Sequence, residues 1–166
     1  MPSTSSFDVT STIDFQEVDN ALNQARKEVG QRYDFKGAKA DIELSTAEKT
    51  LTLTTDDEMK MNALWEILQT RLVRRGVAVK NFKVGDSEAA AGGTVRRVIE
   101  IQQGIPIEAA KAIVKYLKDQ QLKKVQATIQ ADQVRISSPS KDELQNAMRV
   151  LRDHDFGVAL GFGNYR

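Results

Sequence analysis

Apolar and polar residues alternate in three short stretches: Phe7, Val9 and Ile13 in "FDVTSTI", Ala38, Ala40, Ile42 and Leu44 in "AKADIEL", and Leu51 and Leu53 in "TLTLT". A period of two puts every second side chain on one face, so each stretch predicts a half-buried strand. Between and after them, Val18, Leu22, Ala25 and Val29, then Leu64, Ile67, Leu68 and Leu72, recur at helical spacing. Asp14-x-x-Glu17 and Thr55-x-x-Glu58 read as capping boxes at the two helix starts. After "RRG", the stretch "VAVKNFKV" at 77–84 predicts a fourth strand, and the first half reads β-α-β-β-α-β.

The second half repeats that order. "VRRVIEI" is followed by a helix from Pro106 to about Gln120, then "KVQATIQ", "QVRIS", a helix from Ser140, and "VALGFGNYR". Pro106 suits a first helical position, and Ser140-x-x-Glu143 is another capping box. The segment "GDSEAAAGG" is small, flexible and acidic, as a linker between repeats would be. The expected domains are therefore 1–85 and 94–166, joined by a linker at 86–93. Each β-α-β-β-α-β unit predicts the ferredoxin-like plan of an α+β fold. Right-handed crossovers place both helices on one face of a four-stranded antiparallel sheet. The other face stays polar, with Thr10, Thr12, Asp41, Glu43, Thr52 and Thr54 outward in one repeat, and Arg96, Glu100, Gln126, Thr128, Gln130 and Arg135 in the other.

Composition narrows the chemistry. With 166 residues, 40% of them hydrophobic, the chain is long enough for packed cores. It has no cysteine, which excludes disulfides, thiolate nucleophiles and cysteine-ligated metals. No window approaches the roughly 18 apolar residues of a membrane span, and the opening "MPSTSSFDVTST" lacks a basic region followed by an apolar run. A cytoplasmic protein with no membrane partner is expected. Residues 1–85 carry 12 basic and 13 acidic side chains, whereas residues 94–166 carry 12 and 8. The excess is modest, and it directs phosphate binding toward the second half if the bases converge.

In "RYDFKG", at 32–37, Arg32, Asp34 and Lys36 would project to one side of an extended chain and Tyr33 and Phe35 to the other, with Gly37 permitting a turn. One reading is a site in which Arg32 and Lys36 hold phosphate beside a stacking aromatic. The other is a turn in which Phe35 plugs the core and Asp34 pairs with a neighbouring base. Lys111, Lys115 and Lys118 form a basic stripe on the third helix, followed by Lys123 and Lys124. Arg71, Arg74 and Arg75 sit at the end of the second helix, where its dipole favours cations in any case. The central strands carry no aromatics with which to stack bases, as an RNA-recognition motif does.

Enzyme signals are thin. The one histidine, His154 in "RDHDFG", has no nucleophile at readable spacing, so no catalytic residue is expected. Arg152-x-x-Asp155 has the spacing of a guanine-gripping motif but only two fixed positions. "GFGNYR" lacks the third glycine and the strand-to-helix context of a dinucleotide loop. Asp56-Asp57-Glu58 suits a helix start without any metal, and no cofactor is implied.

Taken together, "SFDVTS", "RYDFKG", "RRG", "QGI", "AKAIVKYLKD", "KKVQATIQADQVRISS", "KDELQ" and "NYR" resemble, in this order and over nearly the whole chain, the YajQ family of small bacterial proteins. The resemblance implies a duplicated ferredoxin-like fold whose domains exchange first strands, so that residues 6–12 complete the second sheet and residues 94–102 the first. It also implies a non-enzymatic, cytoplasmic nucleotide-binding protein, with cyclic di-GMP, GTP, ATP or single-stranded RNA as candidate ligands. The candidate nucleotide-binding residues are Arg32, Asp34, Phe35 and Lys36 of "RYDFKG", Arg96, Arg97 and Arg135 on strands, and Lys111 and Lys115 on the third helix. The alternative is a protein-interaction adaptor that docks a regulatory partner on its sheet faces and strand edges.

Overall fold

The computed structural model describes residues 4–166. The chain runs β1 (Ser5–Thr10), α1 (Phe15–Gln31), β2 (Ala40–Ser45), β3 (Thr50–Thr55), α2 (Glu58–Arg74), β4 (Phe82–Ala89), β5 (Val95–Ile101), α3 (Ile107–Asp119), β6 (Gln126–Gln130), β7 (Gln133–Ser138), α4 (Lys141–Arg152) and β8 (Gly161–Gly163). The strands form two antiparallel four-stranded sheets, ordered β2-β3-β5-β4 and β6-β7-β1-β8. Two tandem ferredoxin-like units result, and they exchange their first strands. β5 lies between β3 and β4, with Leu51 opposite Ile99 and Leu53 opposite Arg97. β1 lies between β7 and β8, with Phe7 opposite Ile136 and Val9 opposite Val134 and Phe162.

The compact units are consequently Ile13–Gln102, and the segment ending at Thr12 together with Gln103–Arg166. The residues expected as a linker belong mostly to a hairpin. Asp86–Ala89 are the second half of β4, and the amide of Ala90 donates to the carbonyl of Thr94 at 2.8 Å to close the turn into β5. Composition misled here because small residues suit a bulged edge strand as well as a linker. The register shifts between Val84 and Ser87. A Cβ on Gly85 would meet the carbonyl oxygen of Val98 at 2.7 Å, so this close approach requires glycine.

The first unit packs Val18, Leu22, Ala25 and Val29 of α1 and Met61, Leu64, Leu68 and Leu72 of α2 over Leu51, Leu53 and Ile99. The second packs Ala110, Ile113 and Leu117 of α3 and Leu144, Ala147 and Leu151 of α4 over Phe7, Val9, Val134 and Ile136. Helix starts differ from expectation in two places. Asp57, not Thr55, caps α2, its carboxylate accepting from the Lys60 amide at 2.8 Å. Thr55 is still a ladder residue, opposite Ala40 and Val95, and its hydroxyl donates to the carbonyl of Lys39 at 2.6 Å. Pro106 is the extended residue before α3 rather than its first helical residue. Asp14 and Ser140 cap α1 and α4 as expected.

The exchange makes two outcomes testable. Residues 13–102 alone are expected to unfold cooperatively in urea, because all four strands of that sheet are contiguous. Residues 94–166 alone, lacking the central strand β1, should show no cooperative transition. In the full chain, Phe7→Ala is expected to cost about 3–5 kcal/mol. Its effect on amide hydrogen exchange should appear in β6, β7, α3 and α4, more than a hundred residues away.

Candidate functional site

α1 ends at Gln31, and Arg32 turns the chain into a single 3₁₀ turn, Tyr33–Phe35. Phe35 reaches back into the core at 4% exposure, so the turn is pinned by its aromatic plug. Arg32 Nε donates to Asp34 Oδ1 at 3.0 Å and its Nη2 to Oδ2 at 2.8 Å, a bidentate fork. Its Nη1 lies 3.8 Å from a Glu28 carboxylate oxygen, and the guanidinium sits 5.9 Å from the Phe35 ring centroid. The fork lowers the Asp34 carboxyl below its ordinary range and raises the Arg32 guanidinium. Gly37, at φ +76°, swings the chain into β2.

Around this turn lies a groove of about 580 Å³. Arg26 and Gly30, one helical turn apart on α1, form one wall, and Tyr33, Lys36 and Gly37 the other. Tyr33 is 87% exposed and stands at the lip as an unburied ring. The three cations of the groove differ in compensation. Arg32 is answered by Asp34 and Glu28. Arg26 donates to neutral oxygens, Asn23 Oδ1 at 2.9 Å and the carbonyl of Ile42 at 2.5 Å. Lys36 forms no ion pair among the described residues. The groove therefore carries net positive charge from Arg26 and Lys36 rather than from Arg32.

The remaining candidate residues fall elsewhere. Arg96 and Arg97 are adjacent on β5 but point to opposite faces. Arg96 is on the open face, 3.9 Å from Glu88, and Arg97 is largely buried, 3.1 Å from Glu58. Asp56, Asp57 and Glu58 each have a protein partner: the Lys39 amide, the Lys60 amide and Arg97. No group of three potential metal ligands occurs among the described residues. Arg71 and Arg75 bind Glu28 and Glu17, tying α2 to α1.

Lys111, Lys115 and Arg135 belong to the other compact unit. The two lysines are exposed on α3. On the open sheet face, Arg135 Nε donates to Asp8 Oδ1 at 3.0 Å and Asn164 Nδ2 to Asp8 Oδ2 at 2.6 Å. Asp8 is only 4% exposed, and these hydrogen bonds, Arg135 first and Asn164 second, hold its carboxyl below the ordinary range against the opposing effect of burial. The backbone of Arg166 exchanges two hydrogen bonds with Ser6, which keeps the chain's last residues beside β1. His154 is exposed and stacks on Tyr116 with ring centroids 4.2 Å apart.

Sequence reasoning missed two contributors. Arg26 was accessible to it, since Arg26 and Gly30 share a helix face that leads directly to Tyr33. Asp8 was accessible only as a polar residue between two buried ones. Its partners lie over a hundred residues away and depend on the strand exchange.

Fold and site together define a duplicated, strand-exchanged α+β protein with a cationic groove edged by an exposed aromatic ring. The chain belongs to the YajQ-like family, matching the family described as "Nucleotide-binding protein YajQ-like" over residues 5–166. It is 48% identical over 161 residues to a protein of Acidithiobacillus ferrooxidans named "Nucleotide-binding protein", covering 97% of this chain and 98% of that one. Proteins of the same name from Carboxydothermus hydrogenoformans and Chloroherpeton thalassium are 44% and 45% identical, each across the full length of both chains. No helix among the described residues is long and apolar enough to cross a membrane.

Two measurements follow from this geometry. Because the Asp8 carboxyl is held low in the folded state, the stability it contributes is present above the unfolded carboxyl pKa and disappears as pH falls through the lower folded value. Chemical denaturation from neutral pH down to about pH 3 should therefore show a loss that is reduced in Asp8→Asn. Arg32→Ala should lower the melting temperature and speed hydrogen exchange of the Phe35, Lys36 and Ala38 amides, as expected if the Arg32–Asp34 fork clamps the turn.

Proposed function

We propose that the chain is a non-enzymatic nucleotide-binding protein, working in the cytoplasm, with the groove at the end of α1 as its principal site. The observation that carries this reading is the coincidence, around one open groove, of an 87% exposed tyrosine and two cations without a carboxylate partner. An exposed ring supplies a stacking surface for a base, and uncompensated cations attract phosphate oxygens. The printed names of the relatives support the same ligand class. Cyclic di-GMP, GTP, ATP and single-stranded RNA all combine a base with phosphate, and each is therefore a candidate ligand for the groove.

Within the site, Tyr33 stacks, Lys36 and Arg26 hold phosphate, and Arg32, Asp34 and Phe35 keep the turn in shape. Arg96, Lys111, Lys115 and Arg135 lie outside this groove, the last three in the other compact unit, and are not assigned to the site. Arg97 is occupied by Glu58 at the start of α2 and is not assigned to the site.

Calorimetric titration with cyclic di-GMP, GTP, ATP and a short oligonucleotide RNA tests the proposal. At least one is expected to give saturable heat, and Tyr33→Ala should weaken it by about 1–3 kcal/mol with the melting temperature unchanged. Lys36→Ala should weaken binding and flatten its salt dependence. Charge reversal at Lys111 and Lys115, in the other compact unit, should leave that salt dependence unchanged for GTP and ATP. Silence for all four ligands at millimolar concentration overturns the reading and favours the adaptor alternative.

A further inference from the structure

In the compact unit built on β6, β7, β1 and β8, one side of the core is left open. β6 is the end strand of its sheet, so one row of its backbone donors and acceptors has no strand partner. Its inward side chains, Ala127 and Ile129, are only half-buried, in contrast to Val134 and Ile136 on the neighbouring strand, which are fully buried. Beside it, Val114, Leu117, Leu122, Val125 and Ala127 line a groove of about 340 Å³ between α3 and the strand. An apolar trough thus runs alongside an unpaired strand edge.

The surroundings of this trough are cationic. Between Ile107 and Gln130 the chain carries five lysines, Lys111, Lys115, Lys118, Lys123 and Lys124, against two acids, Glu108 and Asp119. Lys118 lines the groove itself, and Lys123 and Lys124 are exposed immediately before the strand. None of the five forms an ion pair among the described residues.

We propose that this edge is a docking site for an extended segment of another protein in which apolar side chains alternate with aspartate or glutamate. The segment adds to β6 as a further strand, its main chain pairing with the unpaired edge. Period-two alternation then directs its apolar side chains onto Leu122, Val125 and Ala127 and its carboxylates to the opposite face, where they feel the lysines through the positive field of the edge rather than by pairing with those of α3. Main-chain pairing supplies much of the affinity, and the lysines select acidic over basic segments and speed encounter. The site lies in a different compact unit from the groove at α1, and it does not depend on nucleotide binding.

The test uses the full chain, isotope-labelled for amide resonances, titrated with an octapeptide alternating glutamate and valine. Saturable shifts confined to α3, residues 120–125 and β6 are expected, and a lysine–valine octapeptide should produce none. Two further glutamate–valine peptides carry N-methyl groups on alternate residues, one on each set, and one of the two should lose binding because it blocks the amides that face β6. The combined variant Lys118→Glu, Lys123→Glu, Lys124→Glu should weaken the acidic peptide about ten-fold or more, equivalent to 1.4 kcal/mol. Equal binding by the basic peptide, retained binding by both methylated peptides, or shifts outside this region would overturn the proposal. So would stronger shifts of the same amides by an oligouridylate, which would assign the edge to RNA. Shifts at β6 that grow with protein concentration alone would assign it to a second copy of the chain. Should the lysine variant fail to fold, the methylated peptides decide the matter on the native chain.

Discussion

Each sheet in this protein depends on a central strand that the other half of the sequence provides. β1 and β5 occupy interior positions, hydrogen-bonded on both sides, and each contributes fully buried residues to its core: Phe7 and Val9 in one, Ile99 in the other, all at 0% exposure. Without such a strand the remaining three would fall into a pair and a single, with two new unpaired edges and an uncovered helix layer. The constraint traces to chain connectivity. β4 runs into β5 through a turn closed by the Ala90–Thr94 hydrogen bond, and a connection so short makes the two strands hairpin partners. β5 is thereby committed to the first sheet, and the vacancy in the second is filled by β1.

That commitment shapes the chemistry as well. Asp8 would be an unfavourable buried carboxylate in an isolated strand. In the completed sheet it stands directly opposite Arg135 and within reach of Asn164, so its charge is answered on both oxygens. The ion pairs of the other unit follow a different logic, with Arg71–Glu28 and Arg75–Glu17 joining two helices over the sheet. Charges that are so matched maintain structure. Among the cations left unmatched, Arg26 and Lys36 line the α1 groove and five lysines surround β6, where a ligand or partner could meet them.

"RYDFKG" shows how one short segment divides between both tasks. Arg32, Asp34 and Phe35 build the turn by a bidentate fork and a core plug, which is the structural alternative that alternation alone left open. Tyr33 and Lys36 are surplus to that construction. They project from it into a groove whose opposite wall comes from the preceding helix, and that pairing of a rigid turn with exposed chemistry gives the segment its functional interest.

The two periodicities were enough to place the four helices and seven of the eight strands within a few residues, because burial of one face is a local demand that each segment satisfies by itself. The fourth strand, read at 77–84, lies instead at Phe82–Ala89, after a 3₁₀ turn at Val79–Asn81. Local rules failed where two elements compete for one residue: Thr55 has the spacing of a helix cap but is retained by the ladder between Ala40 and Val95, and Asp86–Ala89 have the composition of a linker but are paired with β5. The resemblance supplied the strand exchange, which no alternation pattern distinguishes, since Phe7 and Val9 present the same apolar face to whichever sheet receives them. What the tertiary structure alone decided was the matching of charges. A sequence lists cations without their distances to carboxylates, and only folding showed that Arg32 is spent on Asp34 while Arg26, unremarked in the chain, lines the groove with its charge unanswered by any acid.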